Sequence, residues 1–160
     1  MASLLKVLGA LLAGGPYYVR LRRNRINVRD ASGGREFDDE PLLALSDGDQ
    51  PRIEAIGVAA RRTTNRIVNP FSHPRAIVAD FVAAEKLLQH AFREVSARRL
   101  IRPAPIAVMH WVDDLEGGLT QIENRVLREL GEAAGARRVY WQGRELTNEE
   151  LRSGTYHATS

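Results

Sequence analysis

Two hydrophobic rhythms run along this chain, and one gives way to the other near its middle. From Tyr17 to Ile56 the apolar residues come in short runs divided by turn signals. Tyr17 to Leu21 and Arg25 to Arg29 read as strands, although arginines blur their alternation. Asp30-Ala31-Ser32-Gly33-Gly34 is a strong turn between extended segments. Leu42 to Leu45, after Glu40-Pro41, reads as a short strand, and Ile53 to Ile56 as another. Val58 to Thr64 reads as a short helix or loop, and Pro70 and Pro74 break the chain around His73.

From Asp80 the period lengthens to that of a helix. Asp80 is placed to N-cap a helix running to about Arg98, with Phe81, Ala84, Leu88, Ala91, Phe92 and Val95 on its core-facing stripe. Pro103 and Pro105 bound a mostly apolar strand, Ile106 to Val112, and Asp113 to Gly118 is a loop. Thr120, with Glu123 three residues on, forms a capping box for a second helix. Its apolar stripe is Ile122, Val126, Leu127, Leu130 and Ala134, and Gly135 suits its C-terminus. Val139 to Trp141 is a short strand, Thr147 and Glu150 form a second capping box for a last short helix, and residues after Gly154 read as a frayed tail. Alternating helices and strands predict parallel neighbours with right-handed crossovers, and the hairpin-like first half predicts antiparallel ones. The sum is an α/β fold, a mixed sheet flanked by helices.

Residues 1–16 stand apart. Leu4, Leu5, Leu8, Leu11 and Leu12 fall on one helical face, in a run far too short for the ~20 residues that span a bilayer. An interfacial amphipathic helix fits, with Arg20 to Arg25 nearby to meet anionic headgroups. So does a helix packed on its own domain or on a partner. A signal peptide fits less well, because Lys6 lies inside the run rather than before it.

Composition narrows the function classes. A chain of 160 residues suits one domain, and 44% apolar with 27% charged residues is globular rather than disordered. The absence of cysteine excludes disulfides, thiol catalysis and thiolate zinc sites. Only Lys6 and Lys86 among the 23 basic residues are lysine, but 20 acidic residues nearly balance them, so no nucleic-acid partner is expected.

The usual chemistry is missing. His73, His90, His110 and His157 show no metal-ligand spacing. His110 ends a strand, a plausible place for a site, but no nucleophile elbow accompanies it. Asp38-Asp39-Glu40 and Asp113-Asp114 are adjacent carboxylates that point apart on an extended backbone, so they read as solvated loop charge and no metal site is expected. None of Gly14-Gly15, Gly33-Gly34 and Gly117-Gly118 matches a phosphate-binding fingerprint. Gly117-Gly118 precedes a helix N-terminus, where Asp113, Asp114 and Glu116 oppose an anion.

One resemblance gives the absence a shape. Ile77-Val78-Ala79-Asp80-Phe81, Glu85-Lys86-Leu87-Leu88-Gln89-His90 and Arg102-Pro103-Ala104-Pro105 closely resemble the first domain of the MreB family of bacterial actin-like rod shape-determining proteins. The likeness continues through Thr120 to Arg125, Arg128-Glu129 and Ala134 to Arg137, with weaker echoes in Glu40-Pro41 and Ile56-Gly57. It implies a partial actin-like ATPase domain of the ribonuclease H-like class over residues 17–154, an amphipathic segment at 1–16 and a tail at 155–160. It also implies a cytoskeletal, cell-shape role in the cytoplasm, at the inner face of the cell membrane, with self-association or a full-length MreB-like filament as partner.

The departures from the family pattern fall on its nucleotide motifs. The family's Asp-Leu-Gly-Thr, whose carboxylate and backbone amides engage the nucleotide's metal and phosphates, aligns with Tyr18-Val19-Arg20-Leu21. Thr120 matches the last residue of the turn before the second helix, and Glu145 lies one residue past the position of the family's acidic pair. Tyr18, Arg20, Leu21, Thr120 and Glu145 therefore mark a degenerate nucleotide site. The chain also stops where the family would continue, so the sequence leads to the expectation of a truncated relative that acts by binding, without ATP hydrolysis and without a cofactor. Residual binding of ATP with magnesium, and a diverged binding module of unrelated role, are the alternatives.

Overall fold

The computed structural model describes residues 14–159, apart from the side chains of 158 and 159. Leu4, Leu5, Leu8, Leu11 and Leu12 lie outside the described residues. A five-stranded sheet organises the molecule, in the order β3-β2-β1-β7-β8. Its strands are β1 (Tyr17–Leu21), β2 (Ile26–Asp30), β3 (Glu36–Asp39), β7 (Ile106–Trp111) and β8 (Arg138–Trp141). β1, β2 and β3 pair antiparallel, whereas β1–β7 and β7–β8 are parallel. This is the mixed sheet that the two rhythms imply: hairpins where turns are short, crossovers where a helix intervenes.

α1 (Phe81–Ser96) and α2 (Gln121–Ala133) cover one face. Tyr17, Val19, Leu21, Ile26, Val28, Ala107, Met109 and Trp111 point into it and meet Leu87, Leu88, Ala91, Leu127 and Leu130. Each helix starts where the sequence places it. The Asp80 carboxylate accepts the Ala83 N–H at 2.9 Å, and Thr120 and Glu123 form the full capping box. α1 stops at Ser96, short of the expected Arg98. Gly131 lets α2 lie close on the sheet, because a Cβ there would stand 2.8 Å from Val139 Cγ2. The residues of the second face, Tyr18, Val108 and Tyr140, pack under Leu146, Leu151 and Tyr156. Leu151 comes from α3 (Asn148–Ser153), which opens on the predicted Thr147–Glu150 capping box.

Several expectations are corrected. A separate three-stranded sheet, β5-β4-β6, joins β4 (Leu43–Leu45), β5 (Ile53–Ile56) and β6 (Arg66–Val68) in place of one continuous sheet. β3 escapes the pattern because Phe37 is the one apolar residue in Glu-Phe-Asp-Asp, and pairing with β2 makes it a strand. Ile122 is 76% exposed, one position off the stripe that Leu127, Leu130 and Gly131 bury. The supposed tail is a 3-10 turn, Thr155–Thr159, with Tyr156 buried against Tyr140 at 5.0 Å between ring centroids. Gly57, between the small sheet and its following 3-10 turn, needs its φ of 70° and its lack of a side chain. A Cβ there would stand 1.9 Å from the Asp39 carboxylate, whose Oδ1 accepts the Val58 N–H at 2.9 Å. No helix among the described residues is long and apolar enough to cross a membrane.

Candidate functional site

The alternation of a strand sets up the site. Side chains two apart share a face, so Arg20 follows Tyr18 onto the second face of β1. Register then aligns Arg20 with Asn27 and His110, and Asn27 with Asp38. The result is a polar row, Asp38-Asn27-Arg20-His110, crossing four strands beside the apolar row that Tyr18 and Val108 contribute to the second-face core. It lies toward the C-terminal ends of β1 and β7, where open α/β sheets place their ligand sites.

Tyr18 is its hub. The hydroxyl lies 2.7 Å from His110 Nδ1, accepts the Leu146 N–H at 3.1 Å, and is 3.5 Å from the Arg144 carbonyl. A phenol has one proton, which goes to His110 Nδ1 when the imidazole proton is on Nε2, or to the Arg144 carbonyl when His110 Nδ1–H donates. The Arg29 guanidinium carbon sits 4.9 Å over the Tyr18 ring, and Arg29 also donates to the Leu146 carbonyl at 3.1 Å. Burial raises the Tyr18 hydroxyl above its ordinary pKa. Burial also lowers the His110 imidazole, with the Arg20 charge acting in the same direction. Both groups are thus held neutral and joined by a hydrogen bond, which is the chemistry of a fastening rather than of a nucleophile.

Around the hub the loops are tied by charge. Arg20 pairs with Glu145 at 3.2 Å, and Arg144 with Glu150 at 2.7 Å. The Arg144 guanidinium, with the Thr147 N–H, holds the Glu150 carboxyl down at about 2. The hairpin turn after β1 is closed by Arg22 N–H donating to the Arg25 carbonyl at 2.8 Å. Asp113, reaching in from the loop after β7, accepts the Arg23 N–H at 2.8 Å and pairs with Arg22 at 3.6 Å. A carboxylate of the chain itself therefore occupies the hairpin amide. Asp113 is not the solvated loop charge that the sequence suggested. The other acidic run is also committed, Asp38 to Arg25 and Glu40 to Arg61. No group of residues able to hold a metal is found among the described residues.

Of the five residues marked by sequence, the structure joins Tyr18, Arg20 and Glu145 in this network. Leu21 faces the opposite side, in the core under the helices. Thr120 is spent on its cap, its hydroxyl accepting the Glu123 N–H at 3.2 Å. Next to the row, His110, Asp113, Asp114, Gly118 and Trp141 line a cleft of about 270 Å³. On the β2 side, Arg20, Arg22, Arg25, Asn27 and Asp38 line one of about 180 Å³. The sequence pointed to Arg20 and His110, but not to Asn27, which only register reveals.

No protein-family model matches the sequence. The chain is 31% identical over 97 residues to the cell shape-determining protein MreB of Escherichia coli K12, covering 58% of this chain and 27% of that protein. It is 36% identical over 114 residues to the MreB of Pasteurella multocida, covering 67% and 31%. The matched region thus spans about three tenths of the MreB relatives. Among solved structures, MreB5 of Spiroplasma citri bound to ADP superposes with a TM-score of 0.59 at 20% identity, over 79% of this chain and 38% of that one. The likeness at that identity is one of fold. Escherichia coli K12 YjaA, an uncharacterized protein, is 32% identical over 124 residues, 74% of each chain. An α/β chain with a ribonuclease H-like strand order and these relatives has an MreB-like actin fold over most of its described length, and it belongs to the family of YjaA.

Proposed function

We propose that this protein is a non-hydrolysing MreB-like module that acts by binding, to a filament of its own kind or of a full-length MreB, at the inner face of the cell membrane. The supporting observation is that the β1–β2 hairpin is filled from within. Where the resemblance calls for a metal-binding carboxylate there is the Tyr18 phenol, bonded to His110 and Leu146. Two residues past the stretch that the resemblance aligns with the phosphate motif, Asp113 accepts the amide of Arg23 in the turn that follows β1. A phosphate brought to this turn would compete with a carboxylate already bonded there, and no group of residues able to hold its metal is found among the described residues. Like charges compete for one donor set, and the resident one pays no association entropy.

Surface features support the membrane part. Leu100 is fully exposed and Ile101 is 59% exposed, flanked by Arg98 and Arg102. Gly14, the first described residue, lies against the guanidinium of Arg99, the residue before this apolar pair. Two apolar anchors near cations suit an anionic bilayer surface.

Calorimetry with magnesium and ATP is expected to give no heat of binding, and micromolar binding with turnover would overturn the non-hydrolysing reading. Co-pelleting with MreB filaments and with anionic vesicles, with and without residues 1–15, tests the rest. Protein that stays in the supernatant in both assays removes the binding role. Leu100→Ser with Ile101→Ser is expected to reduce vesicle pelleting and leave filament pelleting unchanged.

A further inference from the structure

The five-stranded sheet has two open edges, and their charges differ in sign. β3 and β8 are its outermost strands. Among the described residues, no backbone hydrogen bond outside the sheet reaches either of them. Neither contains proline, and neither pairing with its inner neighbour shows a bulge. Proline and bulges, two devices that blunt sheet edges, are thus absent from both, and what guards each edge is its shortness and its charge.

The β8 edge is basic. It borders a groove of about 510 Å³ against α2, lined by Arg128, Arg137, Arg138, Glu132, Tyr140 and Trp141, among others. None of the three arginines has an ion pair within the described chain, and Glu132 is the one carboxylate in the lining. The Trp141 indole N–H and the Asn124 amide oxygen in the same lining are buried with no hydrogen-bond partner among the described residues. The β3 edge is acidic, Glu36-Phe37-Asp38-Asp39 followed by Glu40. Arg25 and Arg61 partly offset Asp38 and Glu40, and Glu36 accepts from the Asn27 amide and has no ion pair among the described residues.

We infer that the β8 edge of one copy takes the β3 edge of a second copy, extending the sheet from molecule to molecule. This rests on the self-association reading above and names the surface for it. Charge selects the pairing. Two β8 edges facing each other would oppose arginines to arginines, and two β3 edges carboxylates to carboxylates. A β8–β3 contact pairs opposite signs and supplies a row of backbone partners. Such a contact is heterologous: it leaves a free β3 and a free β8 at the two ends, so it propagates into an open chain unless its rotation closes a ring. Four-residue edges make a small interface, so the association is weak, concentration-dependent and salt-sensitive.

Sedimentation velocity of the full chain over a concentration series, at low and high salt, reads this out. The wild type is expected to form a ladder of oligomers that shrinks with salt. Arg137→Glu with Arg138→Glu, and separately Glu36→Lys with Asp38→Lys, are each expected to weaken association at least about tenfold, as loss and reversal of edge charge pairs would. Circular dichroism checks that each variant is folded. Mixing the two is the decisive arm, because the acidic β8 of the first variant meets the basic β3 of the second and the ladder returns. Oligomers that survive both reversals, or a mixture that stays monomeric, overturn the edge contact but leave self-association standing. A wild type that is monomeric throughout overturns it too, and if that monomer still pellets with MreB filaments the proposed binding function survives.

Discussion

The two faces of the central sheet are built from the same strands and do different things. The face under α1 and α2 is apolar from β2 to β8, and its helices fit closely enough that Gly131 can have no side chain. The opposite face is half apolar, under Leu146, Leu151 and Tyr156, and half a polar row from Asp38 to His110. The first face holds the fold by burial, which is non-directional and tolerates conservative exchange. The second holds loops in place by hydrogen bonds, which are directional and cost most when one partner is removed. A chain can keep an actin-like scaffold on one face while its binding face diverges, because the two are stabilised by different physics.

The contrast can be broken experimentally, beginning with its largest effect. Leu130→Ala, fully buried between α2 and the sheet, is expected to cost about 2–5 kcal/mol in chemical denaturation. A smaller loss there than at Tyr18 would reverse the assignment of stability to the helix-covered face. Tyr18→Phe keeps the ring but strips the hydroxyl, leaving the Leu146 N–H and the His110 imidazole unpaired, at a cost of about 1–3 kcal/mol. Little change in stability would mean that the hub is not a fastening. Gly131→Ala gains helix propensity but presses on Val139, and it is expected to lower the melting temperature despite the roughly 1 kcal/mol that Ala would add in an open helix. A rise would show that the helix has room to move.

Acid sharpens the comparison further. His110 in the folded chain has a pKa below its ordinary value, so below pH about 6.5 the unfolded chain takes up protons more readily than the folded one. Stability is therefore retained above that pH and falls as pH drops toward the depressed folded value. His110→Gln is expected to flatten that part of the melting profile, and an unchanged slope would assign it to other groups, His90 among them. The smallest effect is expected at Glu145, 60% exposed, where Glu145→Ala should cost under about 1 kcal/mol because the carboxylate end of its pair with Arg20 is largely in solvent.

Reading the residues in order goes a long way for this protein. Asp80, Thr120 and Thr147 announce three helices by local chemistry alone, because a cap is a bond between residues three apart. The parallel pairing of β7 and β8 follows from helix and strand alternation, whereas the parallel pairing of β1 with β7 joins the two halves of the chain and is fixed only by the fold. The substitution of Tyr18 for a carboxylate and Arg20 for a glycine is visible once the MreB resemblance is recognised. β3 and β6 were not legible, since their strand state comes from neighbours far along the chain rather than from their own apolar residues.

The sequence by itself determined the helices and the order of elements. These depend on near neighbours and on residue type. Only the tertiary structure decided how the polar side of the sheet is tied together, because register brings Arg20 to Asn27 and His110, and a loop 90 residues away brings Asp113 to the amide of Arg23. Such contacts are fixed by how strands align and where loops close, and neither is written in any local stretch of the chain. The polar row, the filled hairpin and the two oppositely charged edges are all properties of that alignment.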